Sequence, residues 1–480
     1  MVSTASRMIQ RLGALPLGPR GVYEPVCERL YLPLVDAHRG ASYARARNEA
    51  LRNERLPRAE LDAMVAGKVQ RLVSFAARTA PFYRDRFRAA GVDPSRIRTA
   101  ADLERLPLVS KADVAEHAEA MKSKDYHGRI ALGVTSGSTG TPLRFIQSGE
   151  HEGWIEACYE RGVGWWGLRR GDRRLVIWGR PVVGGRRAQM SAWLKHRLRN
   201  AISFNSFEEQ DDAFCARVVE TIETFRPRLV WGYGSSIGRL AEYLESVGKT
   251  IDPAVSPRLV IYTGDHMYET ERQLGERTLS SPVVTLYGSS EAGATAYACP
   301  EGRLHLSEDH IHVEILRDDG SPAAPDELGE IVVTTLNNLA MPLVRYRLGD
   351  LGSFGDPARV CPCGVTLRTM NLEVGKVADR ITTSTKKNVS PYTLDYINKQ
   401  LLRDGILGMR HFLVEQTGRD AFVLHVVRAE PYDSRSVEFF VAKMSEYFGP
   451  SIRTEVRFTD AIPISKSGKR RWYQNSMQGS

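Results

Sequence analysis

Cysteine is scarce in this chain of 480 residues, and its six copies are unevenly spaced. So few thiols exclude the disulfide framework of small secreted domains and favour a reducing, cytoplasmic environment. Long apolar runs are also missing, because no uninterrupted run approaches the roughly 18 residues that span a bilayer. The N-terminus lacks the compact apolar segment and cleavage site of a secretory signal. We therefore expect no membrane partner.

A dense basic run is absent as well, although the net charge is +9, from 66 Lys and Arg against 57 Asp and Glu. The basic residues are scattered along the chain, so we expect anionic small molecules as ligands and no nucleic acid. A zinc-containing nucleic-acid-binding protein is the remote alternative, and it would show binding that falls steeply with salt.

The composition is that of an ordinary globular protein, with 42% hydrophobic and 26% charged residues. Because single cores stop growing near roughly 250–300 residues, the length predicts more than one domain. The first 58 residues are rich in Arg, Pro and Leu without sustained periodicity. We interpret them as a short docking or disordered arm.

The apolar pattern that follows predicts an α/β fold. A helical stripe starts near Glu60, and Pro81 closes it. Four short apolar runs predict buried strands at residues 175–178, 229–231, 259–262 and 283–286. Helical faces at 214–225 and 237–247 lie between them, which favours a mainly parallel sheet with helices on its faces. Beyond about Gly375, strands at 411–414, 421–427 and 454–458 and a helix at 437–448 predict a small α+β unit.

A run of glycines and hydroxyl residues is the first candidate site: Thr135-Ser136-Gly137-Ser138-Thr139-Gly140-Thr141-Pro142. Glycines let backbone N–H groups approach an anion, and hydroxyls add donors, so this composition suits a phosphate cradle. It lacks the lysine of a Walker A loop. A flexible surface turn is the alternative.

Three further motifs follow in order: Tyr287-Gly288-Ser289-Ser290-Glu291, Arg345-Tyr346-Arg347-Leu348-Gly349-Asp350 and Pro463-Ile464-Ser465-Lys466-Ser467-Gly468-Lys469. With the loop, they resemble the motifs of the adenylate-forming superfamily, whose enzymes activate a carboxylic acid with ATP as an acyl-AMP. Residues 81–84, 106–111 and 361–364 resemble its phenylacetate-CoA ligase and CapK-like branch. The resemblance extends from about Ala77 to about Trp472.

The resemblance implies an α/β fold with two domains. Residues 1–376 would form a large N-terminal adenylation domain with mixed and parallel sheets flanked by helices, including the arm of residues 1–58. Residues 377–480 would form a small mobile α+β lid that carries the catalytic lysine.

The resemblance also implies a role for individual residues. Lys469 and Glu291 would be catalytic, with Glu291 as a Mg²⁺ ligand. The residues expected to bind ATP are Ser136, Gly137, Ser138, Thr139, Gly140, Gly264, Asp265, Tyr287, Gly288, Ser289, Ser290, Asp350 and Lys376. The alternatives are a helix N-terminal carboxylate for Glu291, a turn residue for Asp350 and a solvated basic tail for Lys469.

Three thiols and an imidazole form a second constellation, at Cys299, His305, Cys361 and Cys363. This donor set suits tetrahedral structural Zn²⁺, although Cys-x-Cys is tighter than the usual finger spacing. Several phenylacetate-CoA ligase relatives resemble this arrangement. Buried free thiols are the alternative.

The hinge between the two domains departs from the family pattern. Lys376 stands where the family has arginine, Ala378 replaces an acidic residue, and the glycine expected near residues 385–389 is missing. Because that glycine loop approaches the CoA pantetheine in the family, we favour an amine as acyl acceptor, which would give an amide. An acyl- or aryl-CoA ligase is the alternative.

The sequence leaves open the acid, the acceptor and whether the chain forms a homodimer. Five aromatic residues either line an aromatic acyl pocket or pack in the core: Trp165, Trp166, Trp178, Trp231 and Tyr233.

Overall fold

A computed structural model describes residues 23–39, 42–134, 144–178, 194, 196–206, 210–264, 267, 269–376, 381–386, 389, 392–403, 406, 408–462 and 472–477. Its α-helices are α1 (Tyr23–Val26), α2 (Leu32–Arg39), α3 (Ser42–Asn53), α4 (Arg58–Thr79), α5 (Pro81–Ala89), α6 (Lys111–Met121), α7 (Gly149–Gly164), α8 (Asp212–Phe225), α9 (Gly234–Ser246), α10 (Glu269–Leu279), α11 (Tyr392–Arg403) and α12 (Arg435–Phe448). One π-helical segment, Cys27–Tyr31, joins α1 to α2, and short 3₁₀ turns occur at Pro94–Arg96 and Ala101–Arg105.

The strands are β1 (Ile130–Val134), β2 (Arg144–Ser148), β3 (Arg174–Ile177), β4 (Ala201–Phe204), β5 (Leu229–Tyr233), β6 (Leu259–Thr263), β7 (Val283–Ser289), β8 (Gly293–Ala298), β9 (Leu304–Leu306), β10 (Ile311–Leu316), β11 (Gly329–Thr335), β12 (Tyr346–Phe354), β13 (Thr369–Lys376), β14 (Met409–Gly418), β15 (Ala421–Arg428), β16 (Arg453–Phe458) and β17 (Tyr473–Asn475). They form a hairpin of β1 and β2, an 11-stranded sheet, and a four-stranded sheet.

The large sheet has the strand order β10-β11-β12-β13-β9-β8-β7-β6-β5-β3-β4. Strands β4, β3, β5, β6 and β7 run parallel, whereas the strands from β8 to β10 pair antiparallel. The predicted α/β class is confirmed, and the four predicted apolar runs coincide with β3, β5, β6 and β7. Strand β7 belongs to both halves, since it is parallel to β6 and antiparallel to β8.

The parallel strands read as continuous apolar runs because helices cover both faces of the sheet. On β5, Val230 packs in the core formed with α8 and α9, while Leu229 and Trp231 pack against the residues of α7. Helix α8 begins where the Asp211 carboxylate accepts the Phe214 N–H, which satisfies one free backbone donor of the first turn.

Helices α4 to α6 cover the antiparallel half. The predicted helix from Glu60 is α4, and it buries Leu61, Val65, Val69, Leu72, Val73 and Ala76. Pro81 stands at the first position of α5, where its missing N–H costs nothing, after Ala80 breaks α4 with an extended backbone.

The described part of the first 58 residues is helical from Tyr23 onward, although its sequence shows no sustained periodicity. Helix α3 packs against α7 through the small residues Ala46 and Ala50, which are buried. Its other attachments are ionic, including Arg47 Nε to Glu160 Oε2 at 2.9 Å. An arm held by small residues and ion pairs leaves a weak periodic signal.

The C-terminal layer has a core of its own. Strands in the order β16-β15-β14-β17 pack with α11 and α12 around Phe412, Phe422 and Phe440. The predicted strands and helix of this stretch lie within β14, β15, β16 and α12. Residues 377–380 lie outside the described residues, so the boundary at residue 376 stays a prediction.

Among the described helices, none combines the length and the apolar composition that crossing a bilayer requires.

Candidate active site

The second motif lies in the hairpin between β7 and β8. Tyr287, Gly288 and Ser289 end β7, and Ser290 and Glu291 form the turn. A side chain at Gly288 would lie 2.5 Å from the Gly293 carbonyl oxygen, so only glycine permits this close strand approach. The Ser289 hydroxyl accepts the Ala292 N–H at 3.0 Å and closes the turn. The motif therefore sits at the carboxyl end of a parallel strand, where ligands of α/β sheets bind.

The third motif lies on β12, in the antiparallel half. Gly349 has a φ of +76°, and the pairing with β13 shifts between Asp350 and Leu351. Asp350 stands opposite Lys376 in this register. The irregularity re-aims the strand locally, which is a frequent use of bulges beside functional sites.

Two reciprocal hydrogen bonds from tyrosine hydroxyls join the second and third motifs. Tyr287, from the second motif, donates its hydroxyl hydrogen to Asp350 Oδ2 at 3.0 Å. Tyr346, from the third motif, donates to Glu291 Oε1 at 3.2 Å. Each motif thus supplies one carboxylate and the hydroxyl that orients the carboxylate of the other. The structure therefore links the two acidic residues predicted from sequence through the tyrosines of the opposite motifs.

Both tyrosines remain donors at any working pH. Burial raises the pKa of the Tyr346 hydroxyl, and the neighbouring Glu291 raises it further. Burial and Asp350 raise the pKa of Tyr287 in the same way. A neutral phenol donates one hydrogen bond to the carboxylate beside it. The two hydrogen bonds therefore fix the orientation of both carboxylates.

The arginines of the third motif are structural. Arg345 forms a buried ion pair with Glu314 at 2.8 Å and donates to the backbone oxygens of Glu104 and Leu106. The backbone of Val109 pairs with Arg345 and Arg347 on either side of Tyr346. The segment 106–111, which carries part of the resemblance to the phenylacetate-CoA ligase branch, therefore holds Tyr346 in place.

A row of aromatic rings flanks Gly264, which follows β6 with a φ of +83°. An added Cβ there would lie 2.9 Å from the Tyr233 ring, so a side chain does not fit. Tyr233 stacks on Trp178 at 4.2 Å between ring centroids, and Trp231 stacks on Tyr159 at 4.9 Å. Trp165 and Trp166 are not part of this row, since Trp165 packs against His305 and Trp166 donates to the Ala298 carbonyl.

Several predicted site residues lie outside the described residues. They are Ser136, Gly137, Ser138, Thr139, Gly140, Asp265 and Lys469. The strands on either side of the loop are described, and Gln147 on β2 donates to the Ser290 carbonyl oxygen at 3.0 Å. The hairpin that carries the loop therefore contacts the second motif.

The structure brings the four predicted zinc ligands together. Their donor atoms lie within 4.8 Å of one another, with the Cys299 and Cys361 sulfurs 3.7 Å apart and Cys363 Sγ 3.3 Å from His305 Nε2. Two thiolates on a tetrahedral Zn²⁺ at about 2.3 Å would be about 3.8 Å apart. The donor set and spacing fit this ion.

The second imidazole nitrogen of His305 completes the fit. Its Nδ1 lies 2.8 Å from the Leu367 carbonyl oxygen, which leaves Nε2 directed at Cys363. Burial lowers the pKa of His305 and keeps it neutral, as a metal ligand must be. Burial also raises the pKa of Cys363 to about 12. The cluster links the turn after β8 to the loop between β12 and β13.

Comparison with known proteins follows this geometry. No family model matches the chain. A phenylacetate-coenzyme A ligase of Thermus thermophilus is 26% identical over 463 residues, which cover 87% of this chain and 97% of that protein. CapK of Staphylococcus aureus is 20% identical over 420 residues, or 86% of this chain and 88% of that protein. The chain is thus similar over most of its length to adenylate-forming ligases.

Within the adenylate-forming superfamily, the similar sequences are phenylacetate-CoA ligases and CapK. The fold agrees: a 2-hydroxyisobutyryl-CoA ligase in its postadenylation state superposes with a TM-score of 0.70 at 20% identity, covering 89% of this chain and 92% of that chain. The same ligase in its thioesterification state gives a TM-score of 0.59. With phenylacetate-CoA ligases matching over most of the chain, the protein is an enzyme of the ligase type.

The sequence alone predicted no role for Tyr346 and placed Tyr287 only among the residues expected to bind ATP. A signal was present in the motifs, because each of them contains one tyrosine and one acidic residue. The partner of each hydroxyl could not be deduced, because the two hydrogen bonds join residues that are 55 and 63 positions apart.

We expect Tyr346→Phe to raise KM for Mg-ATP about tenfold in acid-dependent pyrophosphate exchange, because a buried carboxylate loses a donor worth roughly 1.5–3 kcal/mol. The measurement is KM and kcat against Mg-ATP. Tyr83→Phe is the matched control: its buried hydroxyl donates to the Pro342 carbonyl oxygen and contacts no carboxylate. An unchanged KM in Tyr346→Phe, or an equal rise in both variants, would contradict the role of Tyr346.

Proposed function

We propose that this enzyme uses ATP to activate a carboxylic acid as an acyl-adenylate, with release of pyrophosphate, and then transfers the acyl group to a nucleophile. The observation that carries the proposal is the pair of reciprocal hydrogen bonds by which Tyr287 and Tyr346 link Asp350 and Glu291. Two oriented carboxylates, one in the turn after β7 and one on β12, suit a nucleotide and its cation.

The chain's own residues perform distinct tasks in this proposal. Asp350 accepts hydrogen bonds from the two ribose hydroxyls, while Tyr287 holds its other face. Glu291, oriented by Tyr346, is a hard oxygen donor that fits Mg²⁺. When bound, that ion neutralises charge on the phosphates. Gly264, which the resemblance places among the ATP-binding residues, leaves its backbone without a side chain, and the Tyr233 ring packs against it.

The acid that we propose is aromatic or otherwise apolar. Trp178 and Tyr233 present stacked rings directly beside Gly264, and Trp231 extends the row. Aromatic walls favour flat apolar groups through burial and ring stacking. The names of the phenylacetate-CoA ligase relatives agree with such an acid.

The acceptor that we propose is the thiol of CoA. The support is the similarity to phenylacetate-CoA ligases from Thermus thermophilus and Pseudomonas putida. An amine is the second candidate, because the chain has Ala378 in place of the hinge carboxylate and no glycine among residues 385–389.

One experiment tests acid activation and acyl transfer separately. Pyrophosphate exchange is measured across aromatic, aliphatic and amino acids, and the best acid is then incubated with ATP and either CoA or candidate amines. We expect exchange with aromatic acids and a thioester as the product identified by mass. An amide as the only product would select the second candidate, and no exchange with any acid would reject the proposal.

We further propose that Cys299, His305, Cys361 and Cys363 hold a structural Zn²⁺. Four protein ligands leave no open position for a substrate, so the ion would stabilise the loops beside β8 and β12. The support is the spacing of the four donors and the orientation of His305 by the Leu367 carbonyl.

Purified protein is expected to contain about one zinc ion per chain, and Cys363→Ser to lose it and to unfold at lower temperature. The measurement is metal analysis by mass spectrometry together with the thermal midpoint. Cys215→Ser is the control, because Cys215 is buried outside the cluster. Equal zinc content in the wild type and Cys363→Ser would reject the site.

A further inference from the structure

A second cluster of ionisable residues lies where the C-terminal layer meets the large sheet. His411 stands on β14, Glu242 on α9 and Glu271 on α10, and all three side chains are buried. The two glutamates thus belong to the large unit and the histidine to the small one. The proposed function of the nucleotide site does not use any of them.

The imidazole lies between the two carboxylates. His411 Nε2 is 2.6 Å from Glu242 Oε1, and His411 Nδ1 is 3.7 Å from Glu271 Oε1. Arg410, the preceding residue on β14, places its guanidinium 3.4 Å from Glu242 Oε2. Each ring nitrogen therefore faces a different carboxylate, and one arginine adds a second positive charge.

This arrangement favours a protonated histidine over a bound metal. A metal ion would occupy one ring nitrogen and draw both carboxylates to it, whereas here the two nitrogens serve separate carboxylates. With the imidazole protonated, two positive charges face two negative charges, and all of these groups except the half-exposed Arg410 are buried. Burying carboxylates is costly unless they are paired. Docking of the two units at this contact therefore depends on the charge of the imidazole.

Strand β14 connects this contact to the lysine motif. Trp472 and β17 follow residues 463–469 directly, and β17 pairs parallel with β14 from Val414 to Gln416. The chain that leaves the lysine motif is therefore anchored to the strand that carries His411.

We propose that His411 is a positioning residue that docks the lysine-bearing unit against α9 and α10 in the orientation for adenylation, and does so when its imidazole is protonated. The proposal rests on the proposed acid activation. In the described part of the chain, His411 faces Glu242 from α9 and Glu271 from α10, and Arg410 reaches Glu242 from the same strand as His411. Of these groups, the histidine is the one that loses a positive charge as the pH rises above neutrality, so raising the pH removes the docking charge.

Kinetics supply the first test. His411→Ala is expected to lower kcat for pyrophosphate exchange about five- to tenfold with little change in KM for ATP, because the large unit holds the nucleotide. The wild type should lose exchange between about pH 6 and about pH 8.5, whereas His411→Lys, with a permanent charge, should keep it. His425→Ala is the matched control, since His425 pairs with Glu415 at 3.2 Å within the small unit. Equal effects of His411→Ala and His425→Ala, or loss of exchange with pH in His411→Lys, would overturn the proposal.

Small-angle X-ray scattering supplies a test that needs no activity. The wild type near pH 6 should be more compact than His411→Ala, and should approach it near pH 8.5. If the wild type and His411→Ala gave identical scattering curves at both pH values, the docking contact would be rejected, whatever the activity. A changed curve without exchange for any acid would reject the proposed function and leave the contact standing. Loss of a bound divalent metal in His411→Ala, retained in Cys363→Ser, would show a metal site and overturn the imidazolium.

Discussion

Lys469→Ala should lose nearly all acid-dependent pyrophosphate exchange, about 10²–10³-fold or more, while the protein stays folded. Carboxylate attack on the α-phosphate brings two anions together and leaves little covalent chemistry to the protein. A cation on a flexible stem can bridge the charge that develops between them, and Gly468 before it lets the backbone enter a crowded site.

The control for this prediction is Lys466→Ala, three residues earlier in the same motif. If the lysines act only as a solvated basic tail, the two variants should behave alike, with small effects that fade in salt. Exchange is measured with a saturating acid, and folding is checked by the thermal midpoint. Lys469 lies outside the described residues, so its role depends on the motif and on β17, which begins just after it. Exchange at the wild-type rate in Lys469→Ala would remove this residue from the mechanism.

Asp309→Asn is expected to destabilise the protein by about 3–5 kcal/mol, because it leaves a buried arginine without its counter-charge. Arg161 on α7 makes a two-pronged ion pair with Asp309, at 2.8 and 3.0 Å, and their side chains are 1% and 0% exposed. Asn53 also donates to Asp309, and Lys68 donates to its carbonyl oxygen. The pair thus joins α3, α4 and α7 behind the large sheet.

The measurement is the free energy of unfolding in denaturant. Burial alone would raise the pKa of Asp309, but Arg161, Lys68 and Asn53 together outweigh it and lower the pKa below the ordinary value. A lowered pKa in the folded state gives stability above the unfolded pKa of about 3.9, and this stability is lost as the pH falls through the folded value. The difference between the wild type and Asp309→Asn should therefore shrink in acid.

Glu327→Gln is the matched control, since Glu327 makes a two-pronged pair with Arg317 on the surface. Solvent screens this exposed pair, so its loss should cost far less than the loss of the buried one. Equal destabilisation by the two variants would contradict the assigned importance of burial.

The cysteine cluster shows which features of a site can be predicted from sequence and which cannot. The four donors could be named from residue type and resemblance, and the structure brings them within reach of one ion. Their mutual geometry, and the Leu367 carbonyl that orients His305, could not be deduced, because these contacts join loops about 60 residues apart. The arm is a similar case, since ion pairs such as Arg47 with Glu160 leave no periodic pattern.

The sequence by itself determined the α/β class, the strands at the centre of the large sheet and the superfamily, because burial on two faces and motif order are local properties. Only the tertiary structure decided that Tyr287 serves Asp350 while Tyr346 serves Glu291, and that Arg345 turns inward to Glu314. It also decided that His411 meets two glutamates of the other unit. These pairings depend on which strands and helices pack together, and no local pattern of residues records that choice.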